Sequence, residues 1–292
     1  MRFFVVSLLA ALSGGCSGAQ LLNTLTPSSS FKRERDVAYG ELPRQTLDVY
    51  RATEPDPELP TLVFVHGGGW NEGDKALYKF IGDGFAKEGF DVVVPNYRLH
   101  PEAVYPSMVE DTARAARWAV EAFGRPVVLM GHSAGGYNAL QTVFAPEIGL
   151  EAGLETCADV AGVIALAAPT GAAPLDEEPY ISVFPNRFTG DDAPLGRLRA
   201  GLERVPPILL VHGAEDEVVG PDNSTEIAEA LGPRARAFIV DGRDHVDVVR
   251  LLARRFEDDS SIKALVVAAM RAAPREGDLC AAPEFAPEPS AG

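Results

Sequence analysis

Six short, continuous apolar runs punctuate this chain: Leu62–Val65, Val92–Val94, Val127–Met130, Val163–Ala168, Ile208–Val211 and Phe238–Val240. Each is too short for a core helix, and none alternates apolar with polar, so both faces of each run are expected to be covered. The segments between them are long enough for helices, which parallel neighbours require as crossovers. The pattern predicts an α/β fold: a mostly parallel sheet with helices on both faces. Ahead of the first run, "DVAYG" and "QTLDVYR" flank "ELPR" and alternate as a hairpin would, so the sheet is expected to open with an antiparallel N-terminal hairpin. Ser107–Phe123 reads as a helix stopped by Gly124, and Ser261–Ala272 as a terminal helix. Asn223 to Glu226 reads as a capping box opening another; Asn223-Ser-Thr also matches a glycosylation acceptor, with capping the preferred role.

The rest of the chain is partitioned by composition. Residues 1–19 carry Arg2 and the apolar stretch "FFVVSLLAAL", the pattern of an export signal, too short to span a bilayer as a helix. Two processing routes are open. "SGA" ending at Ala19 is a small-x-small cleavage site, whereas "LSGGC" resembles a bacterial lipobox that would lipidate Cys16 and tether the protein to a membrane. Either route exports the chain to the periplasm or cell envelope. Residues 20–30 have linker composition, 31–272 form one catalytic-sized domain, 169–202 are an aperiodic excursion, and 273–292 are a Pro/Ala/Glu-rich tail. Cys157 and Cys280 remain as an even pair in an exported chain, a disulfide candidate that would tie the tail to the body, with two free thiols as the alternative. The net charge of −16 argues against nucleic acid as a partner, because such proteins concentrate Lys and Arg on a face.

The third apolar run leads directly into "GHSAGG". Gly131-His-Ser-Ala-Gly135 fits G-x-S-x-G, placed where a strand meets a helix. In that context Ser133 sits on a strained turn that projects its hydroxyl above the carboxyl end of the sheet. A serine hydroxyl is a poor nucleophile at neutral pH and needs a base. Of the five histidines, His66, His132 and His212 read as turn imidazoles bonded to nearby backbone, and His100 as a loop residue. His245 follows the last apolar run by five residues and is the one a strand-end loop would present to Ser133. A carboxylate must then orient the imidazole. Asp216 lies just past the penultimate run, with Glu215, Glu217 and Asp244 as alternatives, and Asp216 is preferred because Ser133, Asp216, His245 is the chain order of α/β-hydrolases. Gly67, Gly68 and Gly69 end the first run, where backbone N–H groups can turn inward as oxyanion donors. No phosphate-loop pattern is present, and the chemistry calls for no metal or cofactor.

Together "HGGGW" followed by "GDK", "NYRL", "GHSAGG", "HGAEDEVV" and "DGRDH" resemble the α/β-hydrolase esterases of the hormone-sensitive-lipase and kynurenine-formamidase-like groups, over Val37 to Ala272. The resemblance implies the α/β-hydrolase fold, with Ser133 as nucleophile, His245 as general base and Asp216 as its orienting acid. It further implies that Gly68, Gly69 and Ala134 supply the oxyanion N–H groups, and that 169–202 is a short cap. Arg98 and Asp111 are expected to form a structural ion pair supporting the oxyanion loop. Trp70 and Tyr137 neighbour the site and are expected to line the substrate pocket, with plain packing as the alternative. The implied function is a serine carboxylesterase acting on small or medium acyl esters. An arylformamidase or amidase with the same triad, or a binding protein on the same scaffold, are the alternatives.

Overall fold

The computed structural model describes residues 21–171, 180–184, 193–199, 204–259 and 261–281. The export signal and Cys16, the ends of the linker and tail, and parts of the 169–202 excursion lie outside them. Eight strands form one sheet: β1 (Phe31–Ala38), β2 (Thr46–Ala52), β3 (Thr61–Val65), β4 (Val92–Pro95), β5 (Val127–His132), β6 (Val160–Leu166), β7 (Ile208–Gly213) and β8 (Ala235–Val240). Their order is β1-β2-β4-β3-β5-β6-β7-β8. β2 pairs antiparallel with both β1 and β4, and every other pairing is parallel. Five longer helices flank it: α1 (Lys79–Ala86), α2 (Ser107–Phe123), α3 (Ala134–Phe144), α4 (Asp222–Leu231) and α5 (Ser261–Ala272).

The unbroken hydrophobicity of the central strands has a direct structural reason. Successive side chains point to opposite faces, and each face has its own core. Leu62, Phe64, Val128 and Met130 pack on one side with Ile81 and Phe85 of α1 and Ile262 and Val266 of α5. Val63, Val127 and Leu129 pack on the other with Ala115 and Ala119 of α2, Leu140 and Val143 of α3, and Ile227 of α4. α2 ends where expected, at Gly124 in the left-handed region with φ 64°.

Three expectations need correction. α4 begins at Asp222 after an uncapped Pro221, so Asn223 lies inside the helix and does not cap it. Its Oδ1 instead accepts from the N–H groups of Thr170 at 2.8 Å and Gly171 at 3.3 Å, tying the loop after β6 to α4, while its Nδ2 donates to Gly220 O at 3.0 Å. The 20–30 segment, expected as a linker, is helical over 21–25, and Leu22 joins the core. The tail, too, is part of the body as far as its cysteine, with Ala273, Leu279 and Cys280 buried.

Cys157 and Cys280 are disulfide-bonded, with S–S 2.00 Å and Cα atoms 5.0 Å apart. Leu279 N–H donates to Cys157 O at 2.9 Å, and Arg204 pairs with Asp278 at 2.6 Å, so the bond is set in a docked segment. It closes a loop with a sequence separation of 123. Constraining so long a loop restricts the unfolded chain strongly, so the Cys157→Ala/Cys280→Ala double variant is expected to lose about 2–5 kcal/mol. Denaturant melts without reductant check this; an unchanged midpoint would mean that the bond contributes nothing to stability.

Candidate active site

The carboxyl ends of β3, β5, β7 and β8 deliver the candidate residues to one edge of the sheet. At the end of β5 the chain must turn at once into α3, and Ser133 takes φ 53°, ψ −123°. A side chain is excluded on either side. A Cβ at Gly131 would stand 2.1 Å from Gly135 O, and one at Gly135 would stand 2.2 Å from Val65 O. The G-x-S-x-G pattern is therefore a steric requirement of β5, β3 and α3 meeting at this point. Ser133 N–H donates to Leu166 O at 2.8 Å, which fixes the turn to β6.

β3 neighbours β5, so its terminal glycines lie beside the serine. Gly68 has φ 119° and Gly69 φ 54°. Among the described residues the N–H groups of Gly68, Gly69 and Ala134 donate no hydrogen bond, and Ala134 is the first residue of α3, where the helix dipole adds positive potential. Trp70 follows at φ 60°, held by its Nε1–H on Asn138 Oδ1 at 2.9 Å. Behind the loop, Arg98 binds Asp111 through Nε and Nη2, each at 2.8 Å, and also reaches Glu110 at 3.0 Å, the ion pair expected from sequence. His100 N–H donates to Trp70 O at 2.8 Å, joining the Arg98 segment to the loop it supports.

Asp216 and His245 meet at 2.7 Å, carboxylate Oδ2 to imidazole Nδ1. The two loops are zipped along their backbones, Ala214 N–H to Val240 O and Glu215 N–H to Arg243 O, both at 3.0 Å. The other acids are elsewhere. Glu215 and Glu217 are exposed, and Asp244 Oδ1 accepts from Val246 and Asp247 N–H at the start of the short helix Asp247–Arg250. Burial raises the Asp216 pKa, but hydrogen bonds from His212 and His245 outweigh it and hold the carboxyl well below the usual carboxylate range.

His132 links the Ser133 turn to His245. Its Nε2–H donates to the carbonyl of His245 at 2.8 Å, and the two rings are 4.9 Å apart. Burial, reinforced by the charge of His245, pushes His132 down to about 3, so the ring stays neutral and keeps its role as donor. Ser133 Oγ and His245 Nε2 are not hydrogen-bonded to each other; in ligand-free sites such bonds are commonly long and close on binding.

A narrow cleft opens at Ser133, with Gly69, Ala134, Trp70, Tyr180 and Val219 among its walls. Trp70 meets it directly. Tyr137 stands behind, fully buried and edge-on to Trp70 at 5.3 Å. Tyr180 and Phe184, from the described part of the excursion, pack edge-on to Trp70 at 5.8 and 4.9 Å, so this segment covers the loop after β3. Tyr180, Val219, His132 and His212 were not selected from sequence. Tyr180 lies in an aperiodic stretch, His132 bonds a residue 113 positions away, and His212, whose partners Asp216, Val219 and Ser224 are near in the chain, gives a local pattern no different from a turn imidazole.

A family model described as BD-FAE matches residues 47–177. Isoprenylcysteine alpha-carbonyl methylesterase ICME of Arabidopsis thaliana is 27% identical over 241 residues, covering 73% of this chain and 56% of the relative. Esterase LipC of Mycobacterium tuberculosis is 28% identical over 235 residues, covering 72% and 57%. The chain thus spans a little over half the length of these curated relatives. Inhibited esterase B of Lactobacillus rhamnosis matches with a TM-score of 0.68 at 19% identity, over 90% of this chain and 96% of that one, a likeness of fold.

Proposed function

We propose that this chain, which has the α/β-hydrolase fold of the esterases and lipases, is a serine carboxylesterase for small or medium acyl esters. The observation that carries the proposal is the 2.7 Å Asp216–His245 hydrogen bond, formed at the strand ends beside the strained elbow of Ser133. Ser133 Oγ attacks the ester carbonyl while His245 Nε2 takes its proton, and Asp216 stabilises the imidazolium through Nδ1–H. The N–H groups of Gly68, Gly69 and Ala134 receive the developing oxyanion. Collapse expels the alcohol, protonated by His245, and leaves an acyl group on Ser133. Water, activated by the same imidazole, then releases the acid.

The small cleft, with Trp70 as one wall and Tyr180 another, supports a short acyl group. The disulfide supports an oxidising compartment, in keeping with export to the periplasm or cell envelope, where lipidation of Cys16 would add a membrane tether. A fluorophosphonate probe is expected to label the tryptic peptide containing Ser133. In a graded p-nitrophenyl ester series, acetate to butyrate should turn over faster than decanoate. Faster turnover of N-formyl-kynurenine than of any ester would replace the esterase assignment by an amidase one, and failure of the probe to label would remove the hydrolase assignment altogether.

A further inference from the structure

Asp216 accepts three hydrogen bonds, and a fourth nitrogen close to its carboxylate has no place in the mechanism above. Its side chain is fully buried. Oδ1 accepts from Val218 and Val219 N–H, both at 2.9 Å. Oδ2 accepts from His245 Nδ1 at 2.7 Å, and His212 Nε2 stands 3.2 Å from that same oxygen. His212, at the end of β7, is itself completely buried.

The tautomer of His212 follows from its surroundings. Nε2 faces two groups that only accept, the carbonyl of Val219 at 2.8 Å and the Asp216 carboxylate, so this nitrogen must carry the proton. Nδ1 lies 2.8 Å from the hydroxyl of Ser224, a fully buried residue of α4, and must accept from it. The opposite tautomer would set a lone pair against a carbonyl and a carboxylate in a dry interior.

We propose that His212 is a positioning residue of the hydrolytic site, its Nε2–H shared between the Val219 carbonyl and the Asp216 carboxylate so that both stay in place, while Ser224 fixes its tautomer. The inference rests on the assignment of Ser133, Asp216 and His245 given above. It has a definite electrostatic consequence. A carboxylate oxygen that already receives a proton donor from His212 has less charge to give the imidazolium of His245, so His212 restrains the basicity of His245 while keeping the acceptor in place. The titratable groups facing this pair are His212 and His132; the rim acids Glu215, Glu217 and Asp244 are exposed.

The test compares His212→Leu, His212→Asn and His212→Gln, each normalised by fluorophosphonate titration of active sites so that misfolded protein does not count. Gln carries an N–H to nearly the position of Nε2. Asn can accept from Ser224 but ends short of Asp216, and it keeps the site polar should the Leu variant not fold. For Leu and Asn, kcat is expected to fall about ten-fold or more with KM within about two-fold, and the acid limb of the pH profile of kcat/KM should move up by about half a unit or more. Gln should restore the limb and most of kcat. An acid limb in the parent position for Asn, or a Gln variant no better than Asn, would overturn the inference. Ser133→Ala, measured alongside, separates the two levels: turnover surviving it would remove the underlying assignment, whereas a dead Ser133→Ala with an unmoved limb in His212→Asn would remove only the role of His212.

Discussion

Replacing Ser133 by Ala is expected to lower kcat for p-nitrophenyl acetate by about 10⁵-fold, roughly 7 kcal/mol of transition-state stabilisation, and to abolish fluorophosphonate labelling. The residual rate comes from the oxyanion donors and binding, which remain when the nucleophile is gone. Stability should hardly change, because Ala inherits the same φ of 53° and the same Cβ. Ser133→Gly separates strain from chemistry. It relieves a backbone conformation that costs of the order of 1–3 kcal/mol, so it should be as inactive as Ala and melt at higher denaturant. Labelling that persists in Ser133→Ala would assign the nucleophile elsewhere.

Asp216→Asn is expected to reduce kcat by roughly 10³- to 10⁴-fold with the fold intact. Asp216 accepts on both oxygens, from two backbone N–H groups on one and from imidazole N–H on the other. An amide has one accepting oxygen. If it keeps Val218 and Val219, its NH₂ confronts His245 Nδ1 and favours the tautomer protonated at Nε2, which cannot take a proton from Ser133. Asp244→Asn is the matched control. Its Oδ1 accepts from Val246 and Asp247, a role an amide oxygen can fill, so activity should stay within about two-fold of the parent. A steady-state comparison of the two variants with p-nitrophenyl acetate decides the matter; loss in Asp244→Asn and survival in Asp216→Asn would exchange their roles.

Much of the fold was legible before any coordinates. The six apolar runs fall in strands, save Ala167 and Ala168 at the end of the fourth, and Ser107–Phe123 and Ser261–Ala272 are helices with those ends, because a strand covered on both faces and an amphipathic helix each write their period into a few consecutive residues. The capping box at Asn223 misled for the same reason. The local pattern is real, but Thr170 and Gly171, more than 50 residues away, use the side chain. The tail misled through its composition, which shows neither the burial of Leu279 nor its bond to the backbone of Cys157.

At the candidate site the division runs the same way. Short stretches of residues specify the strand-to-helix turn at Ser133 and the glycines that turn requires, since these depend on neighbours within a few positions, and the order of serine, acid and histidine is read directly along the chain. The folded chain alone shows that Asp216 rather than Asp244 meets His245, that His132 reaches that pair from the end of β5, and that Tyr180 closes over Trp70. Those are contacts between loops at the ends of different strands, and which strand ends lie side by side is set by the order of strands in the sheet, which no short stretch of residues encodes.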